Sequence, residues 1–304
     1  MHRYYSLIFY FSESTMVEGA AYSIARNITN GIILQVCDLQ KVEAAKKEKK
    51  ETNKKEKGNR RNEPTYFTMF AAEFLGTALL LFLGCMGCIT QVDNPVPSHH
   101  MSALAFGFVI LLIIQTFGHI SGAHLNPAVT IAAVIHRMMN FQMAIAYIAG
   151  QFLGATLGFA LLKALAPPDY VGDGFCMTLP HEKITSLQAV AIELVITTTL
   201  IVVICAVWDK RNAHNTDSTP IRFALVIVGI SMAAGPLTGA SMNTARTFGP
   251  ALIYGNFKDQ WIYWVAPNTA AVLGCGIYKY LFAISEEETN SEEVHLDEVK
   301  QDKC

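Results

Sequence analysis

Few side chains in this 304-residue chain can do chemistry, and most of them lie in apolar surroundings. Glu73 and Glu193 sit inside long apolar runs, where an ionisable group is costly and marks either an ion pathway or a buried brace. His119 and His124 are close in sequence, but no third ligand accompanies them, so a structural or gating contact is expected rather than metal ligation. Cys85 and Cys88 form the single C-x-x-C among seven cysteines; no second pair and no suitably spaced His completes a zinc site. They read as packing, as do Cys205 and Cys275 in their own apolar runs. Neither a disulfide framework, nor a metal site, nor a cofactor is expected. Asn126-Pro127-Ala128 and Asn243-Thr244-Ala245 each resemble a helix start. Asn is a good N-cap, and Pro at the first helical position sacrifices an N–H that would have been unpaired anyway. Thr244 in that position is a mild change.

The elements that must position these residues are membrane spans. Hydrophobic types make up 52% of the chain and charged types 16%, which disfavours a soluble enzyme. Residues 1–66 hold 12 Lys/Arg and 8 Asp/Glu, residues 67–283 hold 9 of each, and residues 284–304 hold 2 and 8. The organisation expected is a basic cytoplasmic tail (1–66) unable to bury enough surface to fold, an apolar integral membrane domain (67–283) and an acidic cytoplasmic tail (284–304). The ten Lys/Arg between 41 and 61 can also attract anionic lipid head groups. The run 4–11 is too short to span a bilayer and lacks a clear cleavage site, so neither a signal peptide nor a span is expected there. Six segments, 67–90, 101–119, 141–166, 185–208, 221–236 and 261–283, read as spans, the fifth being short. Arg137, Lys210 and Arg211 share a side with the basic tail, whereas 91–100 has no Lys/Arg and 167–184 has only Lys183. Both termini are therefore expected in the cytoplasm, where the sequon at Asn27 stays unglycosylated. Gly150, Gly154 and Gly158, four apart on one face, predict close approach of another helix.

The two halves echo each other. Glu73 corresponds to Glu193 at an offset of 120, and 121–128 (SGAHLNPA) corresponds to 238–245 (TGASMNTA) at an offset of 117. Three spans per half make the second copy enter the membrane from the opposite face, so equivalent loops can meet near the midplane.

At these residues the sequence resembles the aquaporin family, also called major intrinsic proteins, over about 67–283. SGAHLNPAVT (121–130) is a highly specific match; GASMNTARTFGPA (239–251) matches except that Thr244 stands where the family usually has Pro. The resemblance implies an all-α membrane protein with six transmembrane helices, two re-entrant half-helices in an inverted repeat, and a homotetramer with one pore per subunit. It also implies that Glu73 and Glu193 brace the re-entrant loops. Half-helices aimed at the pore centre, with the amides of Asn126 and Asn243, raise a barrier to cations and favour neutral permeants.

The family's outer constriction maps onto Phe106, Ser231, Ala240 and Arg246. Water-selective members usually have His at the Ser231 position and commonly Cys at the Ala240 position, so this chain departs at both. A hydroxymethyl in place of an imidazole widens the opening, while Arg246 keeps five donors and its charge. The pattern is similar to the insect entomoglyceroporins, although Thr247 stands where the glycerol-channel branch usually has Asp. The function expected is passive passage of glycerol, urea and water through an integral, plasma-membrane channel whose partners are lipid, small neutral solutes and copies of itself, without nucleic acid. A strict water channel and a junctional or adhesive scaffold are the alternatives. An enzyme is not expected: Ser231 has no apparent neighbouring base, and neither a phosphate loop nor a metal-ligand cluster is evident.

Overall fold

A bilayer's hydrocarbon core, roughly 30 Å thick, needs about 20 apolar residues per helix, and the long runs of this chain meet that demand. The computed structural model describes residues 46–47, 64–89 and 99–282. In chain order its helices beyond residue 64 are α1 (Tyr66–Met86), α2 (His99–Ser121), α3 (Pro127–Ile135), α4 (Phe141–Leu165), α5 (Ser186–Trp208), α6 (Thr219–Thr238), α7 (Thr244–Tyr254) and α8 (Gln260–Leu281). There is no strand among the described residues. The chain divides into units 1–63 and 64–304, and these eight helices all belong to the second. The sequon, the run 4–11 and the acidic tail lie outside the described residues, as does nearly all of the basic tail.

Side-chain caps start three of the six long helices. Thr65 and Asn140 accept a backbone N–H from Thr68 and Met143, and Thr185 with Gln188 closes a full capping box at α5. The short fifth segment becomes a 20-residue helix because Pro220 fits the first turn and Pro236 falls close to the end. Five of the long helices are apolar and long enough to cross a membrane; α8 is as long, at 22 residues, but is diluted by Gln260, Asn268 and Lys279.

Exterior and interior are reversed relative to a protein dissolved in water. Glu73, Thr130, Gln151, Glu193 and Thr197 are completely buried, while Phe67, Phe108, Leu157, Leu187, Leu225 and Val272 are exposed. Lipid as the solvent accounts for both, since hydrocarbon accepts apolar side chains and penalises unpaired polar ones. The packing is pseudo-symmetric. Helix α1 lies along α4 as α5 lies along α8, α2 meets α6, and each short helix packs on the last long helix of the other half, α3 on α8 and α7 on α4.

The α1–α4 contact is as close as the glycine stripe predicts. A Cβ at Gly150, Gly154 or Gly158 would stand 3.1, 2.2 or 2.1 Å from the carbonyl oxygen of Phe70, Phe74 or Ala78. Those atoms are backbone and cannot swing aside.

One expectation is corrected. Cys85 is not mere packing: it is disulfide-bonded to Cys176, 91 residues away, with 5.7 Å between Cα atoms. Cys176 lies in the connection between α4 and α5, outside any apolar run, so only the folded chain brings the two together.

Gly154→Val is expected to destabilise the purified protein by about 3 kcal/mol or more, since overpacking costs 1–3 kcal/mol even where side chains can yield. Gly229→Ala, whose added Cβ meets nothing within 4 Å beyond its chain neighbours and its own helix backbone, should leave the melting temperature unchanged or slightly higher. Thermal unfolding in detergent distinguishes the two; equal melting temperatures would refute the close-packing account.

A candidate permeation pathway

Each half of the chain builds the same reversal of direction. Gly122, Ala123 and Leu125 have φ of 81°, 47° and 55°, and Gly239, Ala240 and Met242 repeat them at 80°, 44° and 52°. For residues other than Gly this left-handed backbone costs roughly 1–2 kcal/mol each, so something must hold it. A buried carboxyl group does. Glu73 accepts from Ser121 Oγ (2.7 Å) and His124 N (2.9 Å) at Oε1, and from Leu125 N (2.8 Å) and Gln151 Nε2 (2.8 Å) at Oε2. Glu193 accepts from Thr238 Oγ1 (2.7 Å), Ser241 N (2.9 Å) and Met242 N (2.9 Å). Alternating backbone handedness makes successive N–H groups converge in a concavity suited to an anionic group. Tyr147 and Tyr263 extend the correspondence: each donates its hydroxyl to a loop carbonyl, Ser121 O at 2.8 Å and Thr238 O at 2.7 Å.

The reversed loops deliver Asn126 and Asn243 to one another. Asn126 Nδ2 donates to Met242 O and Asn243 Nδ2 to Leu125 O, both at 2.7 Å, so each asparagine binds the loop of the other half. Their Oδ1 atoms cap the half-helices, Asn126 accepting from Ala128 N at 3.0 Å and Asn243 from Ala245 N at 2.9 Å and Arg246 N at 3.1 Å. Two helix N-termini therefore start side by side and direct their partial positive ends to the space between them.

Thr244 is explained by its neighbour. Pro267 in α8 has no N–H, so the carbonyl four residues earlier, on Tyr263, lacks its helical donor. Thr244 Oγ1 supplies one at 3.0 Å and in turn accepts from Asn268 Nδ2 at 3.3 Å. In the first half the roles are exchanged: Pro127 opens the half-helix, and Gln151, which has an N–H, stands where α8 has Pro267.

One continuous cavity of about 570 Å³ runs through the bundle past both asparagines, from His99 and Ser102 at one end to Trp208 and Phe223 at the other. Phe106, Ser231, Ala240, Arg246, Asn126 and Asn243 all line it. Pro127, Ala128, Thr244 and Ala245 are buried behind the asparagines, and Glu73 and Glu193 behind the loops. His124 lines the cavity and its Nδ1 lies 3.2 Å from Thr130 Oγ1, whereas His119 is exposed on α2. Arg246 lies over the Phe106 ring, 4.8 Å from its centroid. Its Nη1 donates to Cys176 O at 2.8 Å.

The segment between α4 and α5 is thus part of the wall, which the sequence alone does not reveal. Phe175, Cys176 and Met177 line the cavity. The disulfide fixes this segment to α1, Thr178 Oγ1 donates to Thr247 Oγ1 at 2.7 Å, and His181 N donates to Leu237 O at 2.8 Å. The one signal in the sequence is Cys176 itself, the only cysteine of a connecting segment within 67–283.

Comparison with known proteins bears on the family and the fold. The family model described as major intrinsic protein matches residues 61–278. Aquaporin-4 of Mus musculus is 40% identical over 225 residues, covering 71% of this chain and 68% of that protein. Aquaporin-2 of Rattus norvegicus is 38% identical over 215 residues, covering 69% and 77%. Among solved structures, the aquaglyceroporin from Plasmodium falciparum shares the fold, with a TM-score of 0.61 and 24% identity over 71% of this chain and 97% of that one.

Two substitutions in purified protein test these contacts. Thr244→Val should cost about 1–3 kcal/mol by leaving the Tyr263 carbonyl buried without a donor, and Thr244→Ser should restore stability; equal unfolding of all three proteins would refute the pairing with Pro267. Cys176→Ser should lose about 2–4 kcal/mol, and a reducing agent should lower the melting temperature of the wild type but not of the variant.

Proposed function

The chain belongs to the major intrinsic protein family and is an integral membrane channel for water or small solutes; from that premise we propose that its permeants include glycerol and urea. The observation that carries this reading is the pair of small side chains, Ser231 and Ala240, on the wall of the cavity that Arg246 and Phe106 also line. In this proposal those four residues form the selectivity filter. Ser231 contributes a hydroxyl where a ring would narrow the lumen. Arg246 spends donors on Cys176 and retains others of its five for a solute's hydroxyl or carbonyl oxygen. Phe106 offers an apolar face to the carbon backbone of a polyol. A solute then exchanges hydration for contacts inside the pore, and the paired half-helix N-termini exclude cations.

The same reading assigns the pore centre to Asn126 and Asn243, with Pro127, Ala128, Thr244 and Ala245 shaping the half-helix starts and Glu73 and Glu193 bracing the loops. It includes a homotetramer in the plasma membrane, with tails 1–66 and 284–304 in the cytoplasm on either side of the channel domain 67–283. A strict water channel is the second reading. It is favoured by the likeness to aquaporin-4 and aquaporin-2 and by the bulk of Phe175 and Met177 in the same cavity.

Permeability of reconstituted liposomes decides between them. Wild-type protein is expected to conduct glycerol or urea as well as water. Ser231→His should lower solute flux by about tenfold, which is about 1.4 kcal/mol of added barrier, and lower water flux less. Wild-type liposomes that pass water but neither solute would establish the second reading instead.

A further inference from the structure

Three side chains that the pore does not use converge at its Trp208 end. His136 follows the last turn of α3, Cys205 lies in the last turn of α5, and Cys275 lies in α8. Their ligand atoms all fall within 4.8 Å of one another, and His136 Nε2 is 3.2 Å from Cys205 Sγ. Both cysteines are buried in an apolar cluster, and His136 is partly exposed, which leaves a way in from the end of the bundle.

We propose that His136, Cys205 and Cys275 form a binding site for a zinc-class divalent cation. One imidazole and two thiolates are a ligand set that borderline and soft d10 ions prefer over hard ones. Metal–sulfur bonds of about 2.3 Å at tetrahedral angles put two sulfurs about 3.8 Å apart, so the cluster needs to contract by about an ångström or less. Charge selects the divalent ion. Two thiolates and a neutral imidazole around a 2+ ion make a neutral unit, which a low-dielectric site tolerates, whereas a monovalent ion would leave a buried negative charge. The charge of Lys279 on α8 reaches His136 and disfavours the bare cation but not the neutral complex. Binding is a proton exchange: two thiols lose their protons to solvent as two metal–sulfur bonds form, and nothing is oxidised or reduced. The fourth position is left for water, as in three-ligand zinc sites. The bound ion would join α3 and α8 to α5 next to Trp208, whose ring packs edge-on against His136 at 5.9 Å between centroids and lines the cavity.

The test uses full-length protein in which Cys37, Cys88 and Cys304 are replaced by Ser. Titration with Cd2+ should produce the thiolate-to-metal charge-transfer absorption at one ion per chain. Zn2+ should bind with the same stoichiometry and release two protons per ion. Cys205→Ala/Cys275→Ala should abolish the absorption, and His136→Ala should weaken Zn2+ binding at least about tenfold, the scale expected for losing one ligand bond worth more than about 1.4 kcal/mol. Unchanged binding by the double variant, or no stoichiometric binding by the parent protein, overturns the site. Should the double variant fail to fold, alkylation of the parent protein decides: Zn2+ should protect Cys205 and Cys275 from a maleimide, and absence of protection overturns the site.

Discussion

The two reversed loops beside the cavity depend on two completely buried carboxyl groups. Glu73 and Glu193, both completely buried, convert two strained, partly left-handed loops into fixed walls by accepting the N–H groups that such a backbone turns to one side. Burying a carboxyl group is expensive, and leaving loop N–H groups unpaired in a lipid-embedded bundle is expensive as well; joined, each removes the other's cost. The four donors around Glu73 match the four lone-pair positions of a carboxylate, so neither proton relay nor ion transit is needed to explain it.

Fixed loops are what allow the two asparagines to interlock. Each amide donates across the pseudo-symmetry axis while its oxygen caps its own half-helix, so neither half of the chain completes this junction alone. A displacement of one loop would break a bond to the other. In the proposed channel, a barrier to cations is then a property of the assembled pair rather than of either motif.

Departures from strict repetition carry their own compensation. The second half has Thr at the start of its half-helix and Pro in its final long helix, and the hydroxyl of the one supplies the donor that the other removes. His124 beside Thr130 becomes Ser241 beside Thr247, so the pairing survives with a smaller side chain, and Thr247 gains Thr178 from the long connection as a further partner. That connection also carries the disulfide and the carbonyl that steadies Arg246, which ties this cavity-lining arginine to α1 through covalent bonds and one hydrogen bond.

The spans, the inverted repeat, the glycine stripe and the glutamate–loop correspondence were legible from sequence. Each rests on local composition or on a fixed offset, and lipid imposes those demands segment by segment. The Cys85–Cys176 pair, the Thr244–Pro267 exchange, the meeting of His136 with Cys205 and Cys275, and the place of 175–177 on the cavity wall were not. Each joins residues from different elements, separated by between 23 and 139 positions in the chain. Their proximity depends on how the helices cross and where the long connection folds back. Periodicity along one stretch of sequence carries no information about that geometry, and the packing of two halves against each other supplies it.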